Sequence, residues 1–216
     1  MGKKIFDSDN RFNRFMTRIF NLMILNLLWM LCCIPIVTIG ASSVALYTVT
    51  LRLVRDEEGS LTGDFFKAFR ENLRQSVPVT LVFFFLYTFC LFNILTLRGG
   101  EGTIMVLLVG NIAILVLLTA LWVWIIPLIA RYENTLAVHF NNAWRLAVGR
   151  FPFTLTFIVT TTAPLVWLMY SPQTFLFAFP LWFLLGGAGA AAINSVYLRK
   201  VFDEMEGVEE DSDKDL

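Results

Sequence analysis

Charged residues are missing from long parts of this sequence. No Asp, Glu, Lys or Arg occurs in residues 76–97, 103–130 or 151–198. Over all 216 residues only 16% are charged and 57% are hydrophobic, whereas soluble domains carry about 25% charged residues. Uncharged apolar runs of about 18 or more residues are typical of transmembrane helices. The composition therefore predicts an all-α, polytopic helical membrane protein and excludes an ordinary soluble domain.

Residues that carry catalytic or metal chemistry are also scarce. The three cysteines, Cys32, Cys33 and Cys90, form no C-x-x-C motif, and the one histidine, His139, has no cluster of ligands around it. No phosphate-binding loop, dinucleotide fingerprint or nucleophile elbow is present. We therefore predict no catalytic, cofactor-binding or metal-binding residue, and we expect a protein that is not an enzyme. His139 is interpreted as a surface residue of a helix.

Basic residues predict how the chain crosses the membrane. Four spans are evident at residues 76–97, 103–130, 151–170 and 174–198, and another runs from about residue 17 to residue 35. Five spans would put the basic segments 3–18 and 52–74 on opposite sides, although short basic loops stay in the cytoplasm. If the chain turns after residue 35 and returns as residues 41–54, sixteen of the seventeen Lys and Arg residues share one side. We therefore predict six spans in the plasma membrane, with both termini in the cytoplasm.

Pro35, Thr38 and Gly40 mark this predicted membrane turn. Proline lacks an amide N–H and glycine tolerates positive φ, so both suit a tight turn. The returning segment is about 21 Å long as a helix, which is short against a hydrocarbon core of about 30 Å. It is predicted either as a short full span or as a re-entrant hairpin. A kink in one long helix is the alternative, but it leaves the distribution of basic residues unexplained.

Two amphipathic helices are predicted on the cytoplasmic surface, at residues 63–74 and 136–147. Thr62 or Asp64 is the expected cap of the first, and Pro78 and Pro152 are expected to open the spans that follow. A partner's groove can grip a helix of this kind. The residues predicted to dock a partner are Phe65, Phe69, Arg70, Phe140, Trp144 and Arg145.

Each amphipathic helix follows a span that ends in arginine, Arg55 or Arg131, and precedes a span that opens with proline. This pattern predicts an internal parallel repeat of span, surface helix and span, an arrangement found in transporters. The alternative is that any basic cytoplasmic loop between spans has this pattern.

Neutral polar residues are the chemistry that remains inside the spans. Asparagine can bridge transmembrane helices for about 0.5–2 kcal/mol, and we favour this structural role over contact with a sugar. The candidates are Asn26, Asn93, Asn111 and Asn194. The small residues at 186–192 are predicted to pack inside the bundle, with a homodimer face as the alternative. Residues 1–202 are thus one helical membrane domain, and residues 203–216 an acidic, disordered cytoplasmic tail.

The segment Asn26 to Ser42, NLLWMLCCIPIVTIGAS, together with the later segments FFKAFREN and FNNAWR, resembles the YesL family of Gram-positive bacteria. The resemblance covers nearly the whole chain and implies a plasma-membrane protein whose domain has no assigned function. Members of that family are often encoded beside sugar-binding proteins and permeases of ATP-driven carbohydrate uptake. The family supplies no catalytic residues to carry over.

Two functions follow as hypotheses. The first is an accessory or scaffold component of oligosaccharide uptake by an ABC-type transporter, whose partners are the lipid bilayer and the sugar permease or another membrane protein. The alternative is a small-solute transporter or channel that acts on its own. Nucleic-acid binding is not predicted, because the formal net charge is +0.

Overall fold

The structure, a computed structural model, describes residues 3–55, 57, 59–97 and 102–207, and it describes side chains from Phe12 onward. This part of the chain forms seven α-helices and one 3-10 turn, with no strand. The helices are α1 (Lys3–Cys33), α2 (Ile39–Val54), α3 (Leu61–Thr96), α4 (Thr103–Arg131), α5 (Leu136–Gly149), α6 (Phe151–Tyr170) and α7 (Pro172–Glu206). All helices except α5 are long and apolar enough to cross a membrane when the 3-10 turn Ile36–Thr38 is counted with α2. The predicted all-α fold with six spans is confirmed.

The first two spans form a hairpin, as the basic residues predicted. α1 ends at Cys33, the 3-10 turn follows, and α2 runs back along α1. Near the turn, the Trp29 indole N–H donates to the Ser43 hydroxyl at 3.2 Å, and the Ser42 hydroxyl donates to the Trp29 carbonyl at 2.9 Å. At the other end of α2, Arg55 pairs with Asp203 near the end of α7. The hairpin therefore returns the chain to the end of the bundle where the last helix finishes.

The helix α2 can be short because other helices surround most of it. Its 16 residues extend about 24 Å at 1.5 Å per residue. Within its most apolar window 56% of the residues are buried, whereas the corresponding fraction is 11–22% in the other five spanning helices. A helix that contacts protein on most sides does not have to match the thickness of the bilayer.

The core is centred on α4. Its residues 118–129 pack against α2, α3, α5 and α6, and Trp124 is fully buried. The Trp124 indole N–H donates to the Thr154 hydroxyl of α6 at 2.9 Å, so even the centre of the core contains a polar contact between helices. A second cluster joins α1, α2, α3 and α7 around Leu25, Phe65 and Ala188.

The first predicted surface helix is not a separate element. α3 runs without a break from Leu61 to Thr96, so residues 63–74 and the third span are one helix that contains Pro78. Ser60 caps it, because its hydroxyl accepts from the Gly63 N–H at 3.3 Å, and the predicted caps Thr62 and Asp64 already lie inside the helix. In the second copy of the predicted repeat, α5 and α6 are separate helices and Pro152 lies in the first turn of α6, as expected.

The last helix is longer than the sequence predicted. α7 continues to Glu206 and ends at Gly207, whose φ of 71° is left-handed. The first four residues of the segment predicted to be a disordered tail are therefore helical. The rest of that segment, residues 208–216, lies outside the described residues.

Candidate partner and ligand surface at the basic face

Arginines from three connections meet acidic residues of α7 at one end of the bundle. The pairs are Arg55–Asp203 at 2.6 Å, Arg131–Glu206 at 3.0 Å and Arg150–Glu204. Arg199 also reaches Asp203 at 3.5 Å. We call the end of the bundle that carries these pairs the basic face. The pairs connect the ends of α2, α4 and α5 to the last turns of α7.

A cleft of about 930 Å³ opens on the basic face between α3 and the segment that joins α4 to α5. Its charged lining residues are Arg52, Lys67, Arg131, Asp64, Glu71 and Glu133. Three amides complete the polar wall, and one of them, Gln75, donates to the Asn134 carbonyl at 2.7 Å across the cleft. The lining is therefore polar and close to neutral in total charge.

Not all of these charges are paired. Arg52 lies 3.2 Å from Asp64, and Arg131 is held by Glu206. Lys67, Glu71 and Glu133 make no hydrogen bond or ion pair with the described residues. One ammonium group and two carboxylates thus stay available to a ligand or partner. They suit a polar ligand, or a polar protein surface, whose net charge is low.

Tyr132 lies at the rim of the cleft and faces α7. Its ring packs edge-on against Phe202, and its hydroxyl donates to Glu206 at 3.0 Å. Burial, together with the adjacent carboxylate, raises the pKa of Tyr132 to about 12. The hydroxyl therefore keeps its proton and remains a hydrogen-bond donor over the physiological range.

The docking residues predicted on the first amphipathic segment are mostly turned inward. Phe65 is fully buried, and Phe69 stacks on it with ring centroids 6.5 Å apart. The prediction that Phe65 docks a partner is therefore wrong, because this ring already fills the core between α2, α3 and α7. Arg70 is exposed as predicted, and Phe66 is the phenylalanine of this segment that faces outward.

The docking residues predicted on the second segment are exposed. Phe140 and Trp144 have 49% and 45% of their surface accessible, and Val148 follows at the same helical spacing. The three side chains form one stripe on α5, because residues four apart lie above one another on a helix. Arg145 is exposed beside this stripe. We call Phe140, Trp144 and Val148 the α5 stripe.

His139 lies on the side of α5 next to that stripe, about 100° around the helix axis, and is fully buried. Its prediction as a surface residue is therefore wrong. Neither ring nitrogen makes a hydrogen bond with the described residues. Burial lowers the pKa of His139, because the charged imidazolium would lose its hydration, and the nearby backbone of Asn134 offsets only part of this effect. Ala143 and Ala147 are buried on the same side of α5, which allows the helix to lie close to α4 and α6.

Two of the predicted intramembrane asparagines bridge helices. The Asn26 amide donates to the Phe183 carbonyl at 2.7 Å, and its oxygen accepts from the Ala188 N–H at 2.8 Å, so α1 is tied to the backbone of α7. The Asn194 amide donates to the Tyr47 hydroxyl at 3.1 Å and its oxygen accepts from Thr160 at 2.6 Å. Asn26 and Asn194 are both fully buried.

The other two asparagines do not bridge helices among the described residues. The Asn111 amide donates to the carbonyl of Leu107, one turn earlier in the same helix. Asn93 is half-buried, and its side chain makes no hydrogen bond with the described part of the chain. From the sequence, Asn93 and Asn111 are predicted to bridge helices just as Asn26 is. The sequence does not tell which residues of other helices lie beside them.

The residues predicted to form the membrane turn lie at the turn, but Thr38 and Gly40 contribute to it differently from the prediction. Pro35 precedes the 3-10 turn with φ −74°, and the Thr38 hydroxyl lies 2.7 Å from the carbonyls of Cys32 and Pro35, so it satisfies the end of α1. Gly40 is helical and does not use a positive φ. A Cβ atom at Gly40 would lie 2.1 Å from the Thr80 hydroxyl oxygen, so glycine is needed there for the close approach of α2 to α3.

Sequence reasoning missed the role of the acidic residues at the end of α7. Asp203, Glu204 and Glu206 were included in the tail, although they organise the basic face through three arginines. A signal for their inclusion in the helix was present, because Gly207 is the first helix-breaking residue after the last span.

Comparison with known proteins gives one match. Residues 22–94 match a family model described as "Protein of unknown function, DUF624". No curated protein and no solved structure matches the chain significantly. The matched third of the chain contains the hairpin of α1 and α2 and nearly all of α3, including the turn residues that carry the resemblance stated above. In this segment, then, the chain is similar to a domain to which no function has been assigned.

Proposed function

We propose that this multi-pass membrane protein is an accessory component of carbohydrate uptake that docks a permease subunit through α5 at the basic face. The observation that carries this proposal is the α5 stripe. Phe140, Trp144 and Val148 are large apolar side chains with 45–63% of their surface exposed on a helix of 14 residues, which is too short to span the membrane. Exposed aromatic residues that are grouped on one element are frequent anchors of protein interfaces.

The position of the stripe favours a membrane-embedded partner. Around the axis of α5, one side faces the bundle, the stripe comes next, and Asn141 and Arg145 are exposed beyond it. This order is typical of a helix that lies along the bilayer surface, with its apolar arc toward the lipid. A partner that replaces lipid at this arc must itself be a membrane protein, and the basic rim then suits acidic residues on its surface loops.

The absence of charge within the apolar runs favours an accessory role over an ion-coupled one. Ion-driven transport normally uses ionisable residues inside the membrane. Here the runs at 76–97, 103–130 and 151–198 contain none. The gene neighbourhood implied by the YesL resemblance supplies the class of partner, a carbohydrate permease.

Co-purification from native membranes tests this proposal. Tagged protein is extracted in a mild detergent, and the bound proteins are identified by mass spectrometry. We expect a carbohydrate permease subunit with the wild type, and its loss with Trp144→Ala. Trp167→Ala is the matched control, because Trp167 has 57% of its surface exposed on α6, away from the basic face. Recovery of the protein alone, or equal recovery of the permease with both variants, contradicts the proposal.

Passage of a small solute through the chain itself is the second candidate, and the polar cleft favours it. The cleft offers neutral amides and unpaired charges to a polar solute at the basic face. Thr48, Ile129 and Ala130 also line the cleft, and the adjoining residues of α4 are buried in the core. Uptake of labelled sugars into vesicles that contain only this protein would support this candidate. If the vesicles take up no sugar, the accessory role is favoured.

A further inference from the structure

A cavity lies inside the membrane-spanning part of the bundle, between α1, α2, α4, α6 and α7. It measures about 170 Å³ and is lined by three indole rings, those of Trp29, Trp122 and Trp182. Trp29 and Trp182 pack edge to face with centroids 6.3 Å apart. Four lining residues carry hydroxyl groups, namely Ser43, Tyr47, Thr160 and Thr161, and no charged residue lines the cavity.

A groove adjoins this cavity on the exposed side of α6 and α7. The groove lies between α6 and α7, measures about 590 Å³, and has an almost entirely apolar lining. Cavity and groove share Thr160, Pro164, Trp182, Gly186 and Ala190. The outer rim of the groove is formed by side chains on the lipid-facing surface, among them Trp167 and Ile193, which are exposed. The groove therefore lies between the exposed surface of the spanning helices and the aromatic cavity, and five residues border both spaces.

Some hydroxyl protons in the cavity have no acceptor among the described residues. Of the neighbouring threonines, Thr162 donates to the carbonyl one turn earlier, as threonines in transmembrane helices commonly do, and Thr160 shares its proton between such a carbonyl and Asn194. Thr161 makes no hydrogen bond with the described residues. Ser43 accepts from Trp29, but its own proton has no acceptor among the described residues. The cavity thus offers hydrogen-bond donors to a ligand that carries an oxygen acceptor.

We propose that this space is a binding site for a neutral, single-chain membrane amphiphile, with the aliphatic chain in the groove and a hydroxyl or carbonyl oxygen at Thr161. The volume of the groove lies within the range of about 300–1,000 Å³ that is usual for ligand sites. Charged head groups are disfavoured, because an ion in this uncharged cavity would lose its hydration without gaining a partner.

A lipid chain fits this site better than a second copy of the protein. Both α6 and α7 are long and apolar enough to cross a membrane, so we expect the exposed side chains around the groove to face lipid. The cavity, at about 170 Å³, is much smaller than the groove, so a thin chain can enter it whereas a whole helix of about 10 Å diameter cannot. This inference does not depend on the proposed partner of α5.

Photolabelling with a long-chain primary alcohol tests the proposal. The probe carries a diazirine and an alkyne along its chain, and the protein is reconstituted in phosphatidylethanolamine–phosphatidylglycerol vesicles. We expect saturable labelling that unlabelled long-chain alcohol competes away, with the modified peptides mapping to α6 and α7 around Pro164 and Gly186. Labelling that does not saturate, or that spreads evenly over the lipid-facing helices, overturns the proposal.

Two glycine variants provide the matched comparison. A Cβ atom at Gly189 or at Gly110 would meet no neighbouring atom within 4 Å, so leucine can be accommodated at both positions. Gly189 lines the groove, whereas Gly110 lies on α4 outside it. We expect Gly189→Leu to abolish the saturable labelling and Gly110→Leu to leave it unchanged. Equal labelling of the two variants overturns the proposal.

Thr161→Val tests the polar end of the site. Valine keeps the shape of the side chain and removes the hydroxyl, so labelling by the alcohol should fall about fivefold at limiting probe, the factor expected for one hydrogen bond. A photoreactive alkane of equal length should be unaffected by this variant. An equal effect on both probes overturns the assigned hydrogen bond. If Gly189→Leu instead dissociates a dimer detected by cross-linking, the occupant is a second copy and the lipid proposal is wrong.

Discussion

Single atoms decide the close contacts of this bundle. The missing Cβ of Gly40 allows α2 to approach α3, and the Gly40 N–H donates to the Thr80 hydroxyl at 3.1 Å. The missing Cβ of Gly187 makes room for the Trp29 ring, which would lie 2.5 Å from such an atom. His139 is the contrary case, because it places two polar nitrogens in the core without a hydrogen-bond partner among the described residues.

We predict that His139→Leu stabilises the protein and flattens its pH dependence. The folded state holds the His139 pKa below its usual value, so the unfolded state binds more protons, and the stability of the wild type falls as the pH drops below about 6.5. Leucine removes both the unsatisfied nitrogens and this titration. Each kcal/mol gained should raise the melting temperature in detergent by about 2–4 °C, measured at pH 7 and pH 5.

The control for this prediction is Phe140→Leu at the adjacent, exposed position. It should leave the difference in melting temperature between the two pH values unchanged. A wild-type protein that is equally stable at pH 5 and pH 7 would contradict the assignment of a buried, neutral imidazole.

At the scale of elements, α7 is the helix to which most others are attached. Asn26 of α1 binds its backbone between Phe183 and Ala188, Asn194 connects it to α2 and α6, and its acidic end binds three arginines. Polar contacts of this kind carry weight in a membrane, because lipid tails provide no hydrophobic force to hold helices together. The ion pairs at the basic face are partly exposed, so each contributes at most about 1 kcal/mol.

We predict that Asn26→Leu destabilises the bundle by about 1–3 kcal/mol, because the backbone of α7 loses a buried donor and a buried acceptor partner. Asn111→Leu is the matched control: the Asn111 side chain is half-buried and bonds within its own helix. Thermal unfolding in detergent, followed by fluorescence, measures both. Equal stability of the two variants would exclude Asn26 as a bridge between α1 and α7.

At the scale of the whole molecule, the hairpin of α1 and α2 sets the topology. It allows an even number of crossings, so that the end of α7 and the start of α3 lie at the same end of the bundle, where Arg52 of α2 also meets Asp64 of α3. The short α2 is enclosed by longer helices, which form the surface toward the lipid. The two halves of the predicted repeat differ in detail, since α3 is continuous where α5 and α6 are separate.

We predict that the basic face lies in the cytoplasm, because short basic loops are retained there. In a variant whose natural cysteines are replaced by alanine, Gly59→Cys should resist a membrane-impermeant thiol reagent added to intact cells. Gln173→Cys, which is exposed at the opposite end of α7, should react. Glu101, a site that the sequence also predicts to be external, lies outside the described residues. Labelling of Gly59→Cys from outside would show that the protein has the reverse of the predicted topology.

The sequence by itself determined the number of spans, the hairpin after the first span and the common face of the basic residues. These properties depend on the one-dimensional order of apolar runs and charges, because the bilayer sorts residues by depth alone. The helical period likewise predicted the exposed residues Phe140, Trp144 and Arg145.

Residues that share the same sequence pattern differ in whether they face a neighbouring helix, and this difference depends on the tertiary structure. Phe65 and Phe140 occupy similar amphipathic segments, yet the first is buried and the second exposed. Asn26 bridges two helices, but Asn111 bonds within its own. The period of a helix gives the direction of a side chain relative to its own axis, whereas burial depends on which other helix lies in that direction.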